Sequence, residues 1–276
     1  MKSTILVTMQ EGERKPSGGI ALITGASSGI GEALAKEFAV HGFDLILVAR
    51  SELRLREIAS QLGHTYGRTV EVIPEDLSVR DAPEELFRRV SAHHPSIDVL
   101  VNNAGFGDFG PFHTSDWDKN RRMIDVNIVA LTALTRLFLP GMVARRSGRI
   151  LNIASTAAFQ PGPLMSVYYA SKAYVLHFSE AIANELEGTG VTVTAYCPGP
   201  VRTGFQEAAA AGDNPLAKGR RLPSPDEVAL DAFRALMAGK VVQVPGVMNY
   251  LLSLAPRMVS RSMVRKVSRY IQDQRR

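Results

Sequence analysis

Tyr168 is followed four residues later by Lys172, and Ser155 lies thirteen residues before Tyr168. An unperturbed tyrosine has a pKa of about 10 and is a poor base at neutral pH. On a helix, residues four apart share a face, so the lysine charge would favour the phenolate and lower the tyrosine pKa. The spacing therefore indicates a hydroxyl that exchanges a proton with a substrate near neutral pH.

The pair of Tyr168 and Lys172 is a weak signal by itself, because a surface tyrosine packed on a lysine stem has the same spacing. Ser155 adds context, since it ends the largely apolar run 149–155, which predicts a buried strand. Open α/β sheets bind ligands at the carboxyl ends of such strands. Tyr169 is the rival tyrosine, but it stands only three residues before Lys172.

A glycine-rich turn near the start of the chain predicts a phosphate site. Residues 20–24 form an apolar run typical of a buried parallel strand, the turn G-A-S-S-G-I-G spans residues 25–31, and residues 32–39 favour a helix. The glycines allow close backbone approach, and the helix N-terminus offers free N–H groups and a positive dipole end. An ordinary glycine-rich turn is the alternative interpretation.

Cofactor choice is predicted to depend on Arg50, which ends the second apolar run, 43–49. An NAD site usually places an acidic residue there to bind the ribose hydroxyls. The planar guanidinium of Arg50 suits a 2′-phosphate instead, which favours NADP(H) and leaves NAD(H) open. A solvated arginine with no ligand is the alternative.

With these motifs, the chain resembles the short-chain dehydrogenase/reductase family over residues 18–250. The resemblance implies catalytic roles for Asn127, Ser155, Tyr168 and Lys172. Some NADP-dependent relatives carry a basic residue in the glycine turn, where this chain has serines. The implied cofactor-binding residues are Gly25, Ser27, Ser28, Gly29, Ile30, Gly31, Arg50, Asp76, Leu77, Asn103, Ala104, Gly105, Tyr168, Lys172, Pro198, Gly199, Val201 and Thr203.

Each of these matches also has a purely structural interpretation. Asn102 and Asn103 can cap a strand end, Asp76 can cap a helix, and Asn127 can face solvent from a helix. Their joint occurrence in the family's order favours the functional interpretation.

Strand and helix patterns alternate from residue 20 to residue 246, which predicts a single doubly wound α/β domain of the Rossmann type. We expect seven parallel strands and a long helix over 167–186. The predicted organisation is a flexible leader over 1–18, an oxidoreductase domain over 19–250 and a basic amphipathic helical extension over 251–276. The predicted strands span 20–24, 43–49, 70–74, 98–102, 149–155, 191–197 and 240–245.

Cys197 is the single cysteine, so no intrachain disulfide can form, and the histidines show no metal-ligand spacing. We therefore expect no metal, a buried inert thiol and a reducing, cytoplasmic location. No apolar stretch suggests a signal-peptide core or a membrane-spanning helix.

The net charge of +5 is concentrated at the C-terminus, where residues 257–276 hold seven of the 32 basic residues and one of the 27 acidic ones. Nucleic-acid binding by the whole protein is therefore not expected. Apolar residues run beside these charges, which predicts a basic amphipathic helix beginning near Pro256. It packs on its own or a partner subunit, or it contacts a membrane surface or an acidic substrate.

The motifs together predict an NADP(H)-dependent oxidoreductase that interconverts a carbonyl and an alcohol, as a homodimer or homotetramer. A non-catalytic dinucleotide sensor or scaffold is the alternative, although a pure binder needs no activated tyrosine. Residues 204–225 are expected to form a mobile lid. Apolar residues that could wall a pocket, and so favour a largely apolar substrate, are Phe106, Phe109, Phe112, Phe159, Leu164, Met165 and Phe205.

Overall fold

The computed structural model describes residues 5–7, 18–202 and 221–274. Apolar runs with few polar interruptions form a central parallel sheet, as expected for strands covered on both faces. The seven parallel strands agree with the predicted ones to within a few residues at each end. They are β2 (Ile20–Thr24), β3 (Asp44–Ala49), β4 (Val70–Pro74), β5 (Val99–Asn102), β6 (Gly148–Ile153), β7 (Val191–Tyr196) and β8 (Val242–Gln243).

The strand order β4-β3-β2-β5-β6-β7-β8 confirms the doubly wound α/β fold. Strand β2 pairs with β3 on one side and with β5 on the other. The chain therefore winds away from β2 in both directions and leaves a crevice beyond the carboxyl ends of β2 and β5. Ligands bind at such switch points in open α/β sheets.

An eighth strand, β1 (Ile5–Val7), lies within the segment predicted to be a flexible leader. It pairs antiparallel with β4, with Ile5 opposite Val72, and so covers the edge of the sheet. A three-residue apolar run carries no information about a pairing partner more than sixty residues away in the chain, and the expectation of seven parallel strands did not include this antiparallel edge strand.

Helices cover both faces of the sheet, and each face has its own core cluster. Phe38, Leu55 and Phe233 belong to the cluster on one face, and Leu86, Leu134 and Met142 belong to the cluster on the other. The helices before the C-terminal pair are α1 (Gly29–Val40), α2 (Glu52–Tyr66), α3 (Ala82–His93), α4 (Trp117–Ile124), α5 (Leu131–Ala144), α6 (Ser166–Glu185) and α7 (Pro225–Met237).

A π-helical segment, Asp125–Ala130, joins α4 and α5 into one continuous helix over Trp117–Ala144. By length and composition this helix could cross a membrane, although the sequence suggested no such segment. Leu131, Leu134, Phe138 and Met142 are buried in the core clusters. We therefore interpret it as a core helix of the domain.

The C-terminal region forms two helices rather than one, α8 (Val247–Met258) and α9 (Arg261–Asp273). The prediction that Pro256 begins a helix is wrong, because Pro256 lies inside the last turn of α8. Ser260 provides the actual helix start, since its side chain accepts a hydrogen bond from the Met263 N–H.

Candidate active site

The turn between β2 and α1 approaches its neighbours so closely that two of its positions need glycine. Gly25 has a φ of +66°, and a Cβ on it would lie 2.8 Å from the Ala104 Cα. A Cβ on Gly31 would lie 2.1 Å from the Gly25 carbonyl oxygen. Larger residues would push the turn away from the sheet, so these glycines keep its backbone at the switch point.

Helix α1 begins at Gly29, directly after this turn. Ser28 occupies the N-cap position in an extended conformation, but its side chain makes no capping hydrogen bond. The first N–H groups of α1 therefore remain available to an anion, with the positive end of the helix dipole behind them. Ser27 is half-buried, Ser28 is exposed, and Ile30 packs partly on the core.

The segment after β5 holds this turn in place. The Thr24 hydroxyl accepts hydrogen bonds from the N–H groups of Asn103 and Ala104, at 3.0 Å each. The Asn103 side-chain amide donates to the carbonyls of Thr24 and Gly25. Asn103 therefore links the turn after β2 to the segment after β5, and we call this set of hydrogen bonds the Asn103 brace. Its role is larger than capping the end of a strand, which was the structural interpretation.

Arg50 and Asp76 lie near each other at the ends of β3 and β4. Asp76 accepts hydrogen bonds from the backbone and the hydroxyl of Ser78. Burial raises the pKa of Asp76, but these bonds and the charge of Arg50 outweigh it and lower the pKa overall. Leu77 is buried. Arg50 is exposed and, among the described residues, makes no ion pair, whereas nearby Arg54 is bound to Glu32 and Glu57.

Tyr168 and Lys172 lie one turn apart on α6, as their spacing predicts. The Lys172 Nζ lies 5.9 Å from the centre of the Tyr168 ring and donates a 2.7 Å hydrogen bond to the Ile153 carbonyl at the end of β6. Lys172 is only 6% exposed, and burial lowers its pKa to about 8. A buried cation beside a half-buried phenol is an arrangement that enzymes use to adjust acid–base groups.

Asn127 lies in the π-helical segment and is buried, not solvent-facing. Its side chain donates to the Phe106 carbonyl and the Ser171 hydroxyl and accepts from the Phe106 N–H. A Cβ on Gly105 would lie 3.0 Å from the Asn127 Oδ1 and 3.5 Å from the Lys172 Nζ. The two predicted catalytic side chains therefore meet at Gly105.

Ser171 was missed by the sequence analysis. Its hydroxyl donates a 2.7 Å hydrogen bond to the Tyr168 carbonyl and accepts one from the Asn127 amide. It therefore ties the helix turn of Tyr168 to the π-helical segment. The available signal was a serine just before Lys172 on the inner face of a predicted helix.

Ser155 lies two residues beyond the end of β6, where it caps a short 3-10 helix, Thr156–Phe159. Its hydroxyl accepts from the Ala157 N–H and lies 3.5 Å from the Pro198 carbonyl. The Thr156 N–H also donates a hydrogen bond to the Pro198 carbonyl. Ser155 is thus held against the segment after β7, where Gly199 packs on the Asn249 side chain and Val201 is buried.

Several residues predicted to bind the cofactor or to line the substrate pocket are not part of the arrangement described above. Thr203, Phe205 and most of the proposed lid lie outside the described residues. Leu164 and Met165 are buried, and Leu164 has a φ of +65° in the loop before α6. Phe112 is 60% exposed.

Cys197 is buried as predicted, and burial raises the pKa of its thiol to about 12. Within the described part of the chain, no cluster of metal-ligating side chains occurs.

Comparison with known proteins identifies the class. The model of the short chain dehydrogenase family matches residues 19–214. The NADP-dependent 3-hydroxy acid dehydrogenase YdfG of Escherichia coli K12 is 38% identical over 201 residues, which cover 72% of this chain and 79% of YdfG. The chain therefore belongs to the short-chain dehydrogenase/reductase family and is an oxidoreductase.

Two solved structures extend the likeness to nearly the whole chain. A short-chain dehydrogenase from Sphingobium yanoikuyae in complex with NADPH is 32% identical, with a TM-score of 0.77 over 90% of this chain and 93% of the other. The bulky-bulky ketone specific alcohol dehydrogenase from Comamonas testosteroni is 30% identical, with a TM-score of 0.76 over 88% and 93%. Both confirm the fold.

Proposed function

We propose that this protein is an NADP(H)-dependent oxidoreductase that interconverts a carbonyl and an alcohol on a largely apolar substrate. The observation that carries the proposal is the convergence of a buried Lys172, Asn127 and the Tyr168 turn beside the glycine-rich crevice. A protein that only binds a dinucleotide has no use for a phenol next to a buried cation.

The crevice fits a dinucleotide cofactor. The two close-packed glycines, the uncapped N-terminus of α1 and the Asn103 brace form a cradle suited to a pyrophosphate. Arg50 would pair with a 2′-phosphate and Asp76 would lie at the adenine end. When bound, the nicotinamide supplies or accepts the hydride of the reaction.

The side chains of this protein then perform the acid–base part of the reaction. In reduction, the Tyr168 hydroxyl donates its proton to the substrate oxygen, and in oxidation it accepts that proton. The Ser155 hydroxyl hydrogen-bonds the same oxygen and stabilises its developing charge. Lys172 favours the ionised form of Tyr168 and binds ribose hydroxyls. Asn127 holds the water through which protons reach Lys172.

The apolar residues near the crevice and the named substrates of relatives support a proposal for the substrate class. Phe106 and Phe109 are half-buried in the loop that follows β5. The Comamonas enzyme is named for bulky ketones, and a duck relative, 38% identical over 67% of this chain and 61% of its own length, is a very-long-chain 3-oxoacyl-CoA reductase. We propose a carbonyl with a large apolar substituent.

A screen of NADPH consumption over ketones and aldehydes of graded size and polarity tests this function. We expect turnover with bulky apolar ketones and little with small polar ones, because burying an apolar substituent contributes about 25 cal/mol per Å². If the protein binds NADPH but consumes it with none of the ketones or aldehydes, the result would support a dinucleotide sensor or scaffold instead.

Arg50 is expected to set the preference for NADPH over NADH. Charge-assisted hydrogen bonds contribute about 1.5–3 kcal/mol, which corresponds to roughly 10–150-fold in affinity. Arg50→Asp should weaken the binding of NADPH, because the new carboxylate repels the 2′-phosphate. The value of kcat/KM for NADH should therefore come closer to that for NADPH. The measurement is kcat/KM for both cofactors at fixed salt, because phosphate contacts are screened by ions.

Arg56→Asp is the matched control, since Arg56 is a half-exposed arginine of α2 that pairs with Glu52. It should leave the cofactor ratio unchanged. An unchanged ratio in Arg50→Asp, or an equal change in both variants, would show that the end of β3 does not select the cofactor.

A further inference from the structure

The C-terminal helices expose an unusual amount of apolar surface. Of the nineteen large apolar side chains that are exposed in the described residues, ten lie between Val247 and Tyr270. Met258 is 83% exposed and Val247 is 77% exposed. We call the exposed side chains of residues 247–270 the C-terminal surface. Large exposed apolar areas are uncommon on protein surfaces and are typical of interaction sites.

The exposed apolar residues follow helical spacing. Val247, Leu251 and Met258 share one side of α8, and Met263, Val267 and Tyr270 share one side of α9. A different side of α9, formed by Val264, Ser268 and Gln272, is buried against the domain. Each helix therefore presents an apolar stripe to solvent while another side holds it to the protein.

The charge of the C-terminal surface has a single sign. Residues 247–270 contain five basic residues, four of them in α9, and no Asp or Glu. Arg265, Lys266 and Arg269 line an open depression of about 590 Å³ between α9 and Pro163. Arg269 pairs with Asp273, the sole acidic residue of α9. The depression thus offers cations to an anionic group beside an exposed apolar stripe.

A second copy of the chain fits this surface poorly. A two-fold interface would place the same patch of both subunits face to face, and like charges would meet. An apolar stripe flanked by Lys and Arg instead suits the interface of an anionic bilayer, where apolar side chains enter the acyl boundary and cations contact headgroups. We propose that the C-terminal surface docks the protein on an anionic lipid surface.

The same helices contact the candidate active site from their buried sides. The Gln272 amide donates a 2.8 Å hydrogen bond to the Tyr169 hydroxyl, next to Tyr168. Asn249 of α8 lies against Gly199 in the segment after β7. Docking would therefore bring a membrane close to the site, and this consequence for an apolar substrate rests on the proposed function.

Sedimentation of the 276-residue protein with lipid vesicles tests the docking. We expect the protein to sediment with vesicles of equimolar phosphatidylcholine and phosphatidylglycerol, to sediment less as salt rises, and to remain in solution with phosphatidylcholine alone. The triple change Arg257→Gln, Arg261→Gln and Arg265→Gln should weaken the partition about a hundredfold, since each cation near an anionic surface contributes about fivefold.

Two control comparisons separate docking from general effects of charge or exposure. Arg88→Gln, Arg136→Gln and Arg234→Gln remove three exposed arginines of other helices and should leave vesicle binding unchanged. Leu251→Ser with Met258→Ser should weaken binding at constant charge, whereas Leu53→Ser, at a 73% exposed site of α2, should not. All these side chains are exposed, so circular dichroism and Tm should match the wild type.

Three outcomes would overturn the proposal. One is a wild-type protein that stays in solution with anionic vesicles at low salt. Another is an equal loss of binding in the two arginine triples. The third is an oligomer that dissociates on Leu251→Ser with Met258→Ser while vesicle binding is unchanged, which would assign the surface to a second copy. NADPH consumption with soluble ketones should be unaffected by these variants, so failure here is distinguishable from failure of the proposed function.

Discussion

Tyr168→Phe is expected to lower kcat for ketone reduction by about 10²–10⁴-fold, because general acid–base catalysis contributes about that much. The variant loses one oxygen and keeps the ring that faces the Lys172 ammonium. NADPH affinity should therefore be retained, since the glycine turn, the α1 N-terminus and the Asn103 brace are untouched. Steady-state kinetics and NADPH fluorescence titration measure the two quantities separately.

Tyr169→Phe is the matched control. Tyr169 precedes Lys172 by three residues, which breaks the family spacing, and its hydroxyl accepts a hydrogen bond from the Gln272 amide. Its loss should affect kcat much less than the loss of the Tyr168 hydroxyl. Turnover by Tyr168→Phe close to that of the wild type, or an equal defect in both variants, would remove Tyr168 from the proposed role.

Lys172→Met is expected to impair both cofactor binding and chemistry. Loss of a charge-assisted contact to the ribose should weaken NADPH binding by roughly 10–150-fold. In the oxidative direction, kcat/KM should rise with pH as Tyr168 ionises, and without the nearby cation this rise should move to higher pH. Titration of NADPH and a pH profile with an alcohol substrate test the two effects.

Stability distinguishes this loss of function from misfolding. Burial lowers the pKa of Lys172 to about 8, below its value of about 10.4 in an unfolded chain. Below pH 8 the folded protein therefore bears the full cost of the buried cation, and this cost falls as pH rises from about 8 toward 10.4. Lys172→Met should thus be at least as stable as the wild type to urea at pH 7. An unchanged NADPH affinity with an unmoved pH profile would make Lys172 a structural residue.

The strands and the motifs could be predicted from the sequence because both depend on local patterns. The apolar run at 20–24, the glycine turn after it and the spacing of Tyr168 and Lys172 each specify their own geometry. The edge strand Ile5–Val7 was not readable, because its pairing with β4 is set by distant backbone groups. The prediction that Pro256 begins a helix relied on the preference of proline for helix starts. The structure instead accommodates Pro256 inside α8, which continues to Met258.

The contacts that position the site were less predictable than the site residues. The π-helical segment places Asn127 beside Gly105, although the sequence around it is that of an ordinary apolar helix. Ser171 and Gln272 act through partners on other elements, 44 and 103 residues away in sequence. The local signal for Ser171 was weak and Gln272 had none, because serine and glutamine are common on exposed helix faces as well.

Transfer of deuterium from NADPH labelled on the reactive carbon of its nicotinamide tests the central claim most directly. The labelled cofactor, in either stereochemical form, is incubated with the protein and a bulky apolar ketone, and the alcohol is analysed by mass spectrometry. We predict an alcohol with one deuterium on the former carbonyl carbon from one stereochemical form of the cofactor, and almost none from Tyr168→Phe. Binding of NADPH without deuterium in any alcohol, across ketones and aldehydes of all sizes, would contradict the account and identify a dinucleotide sensor or scaffold.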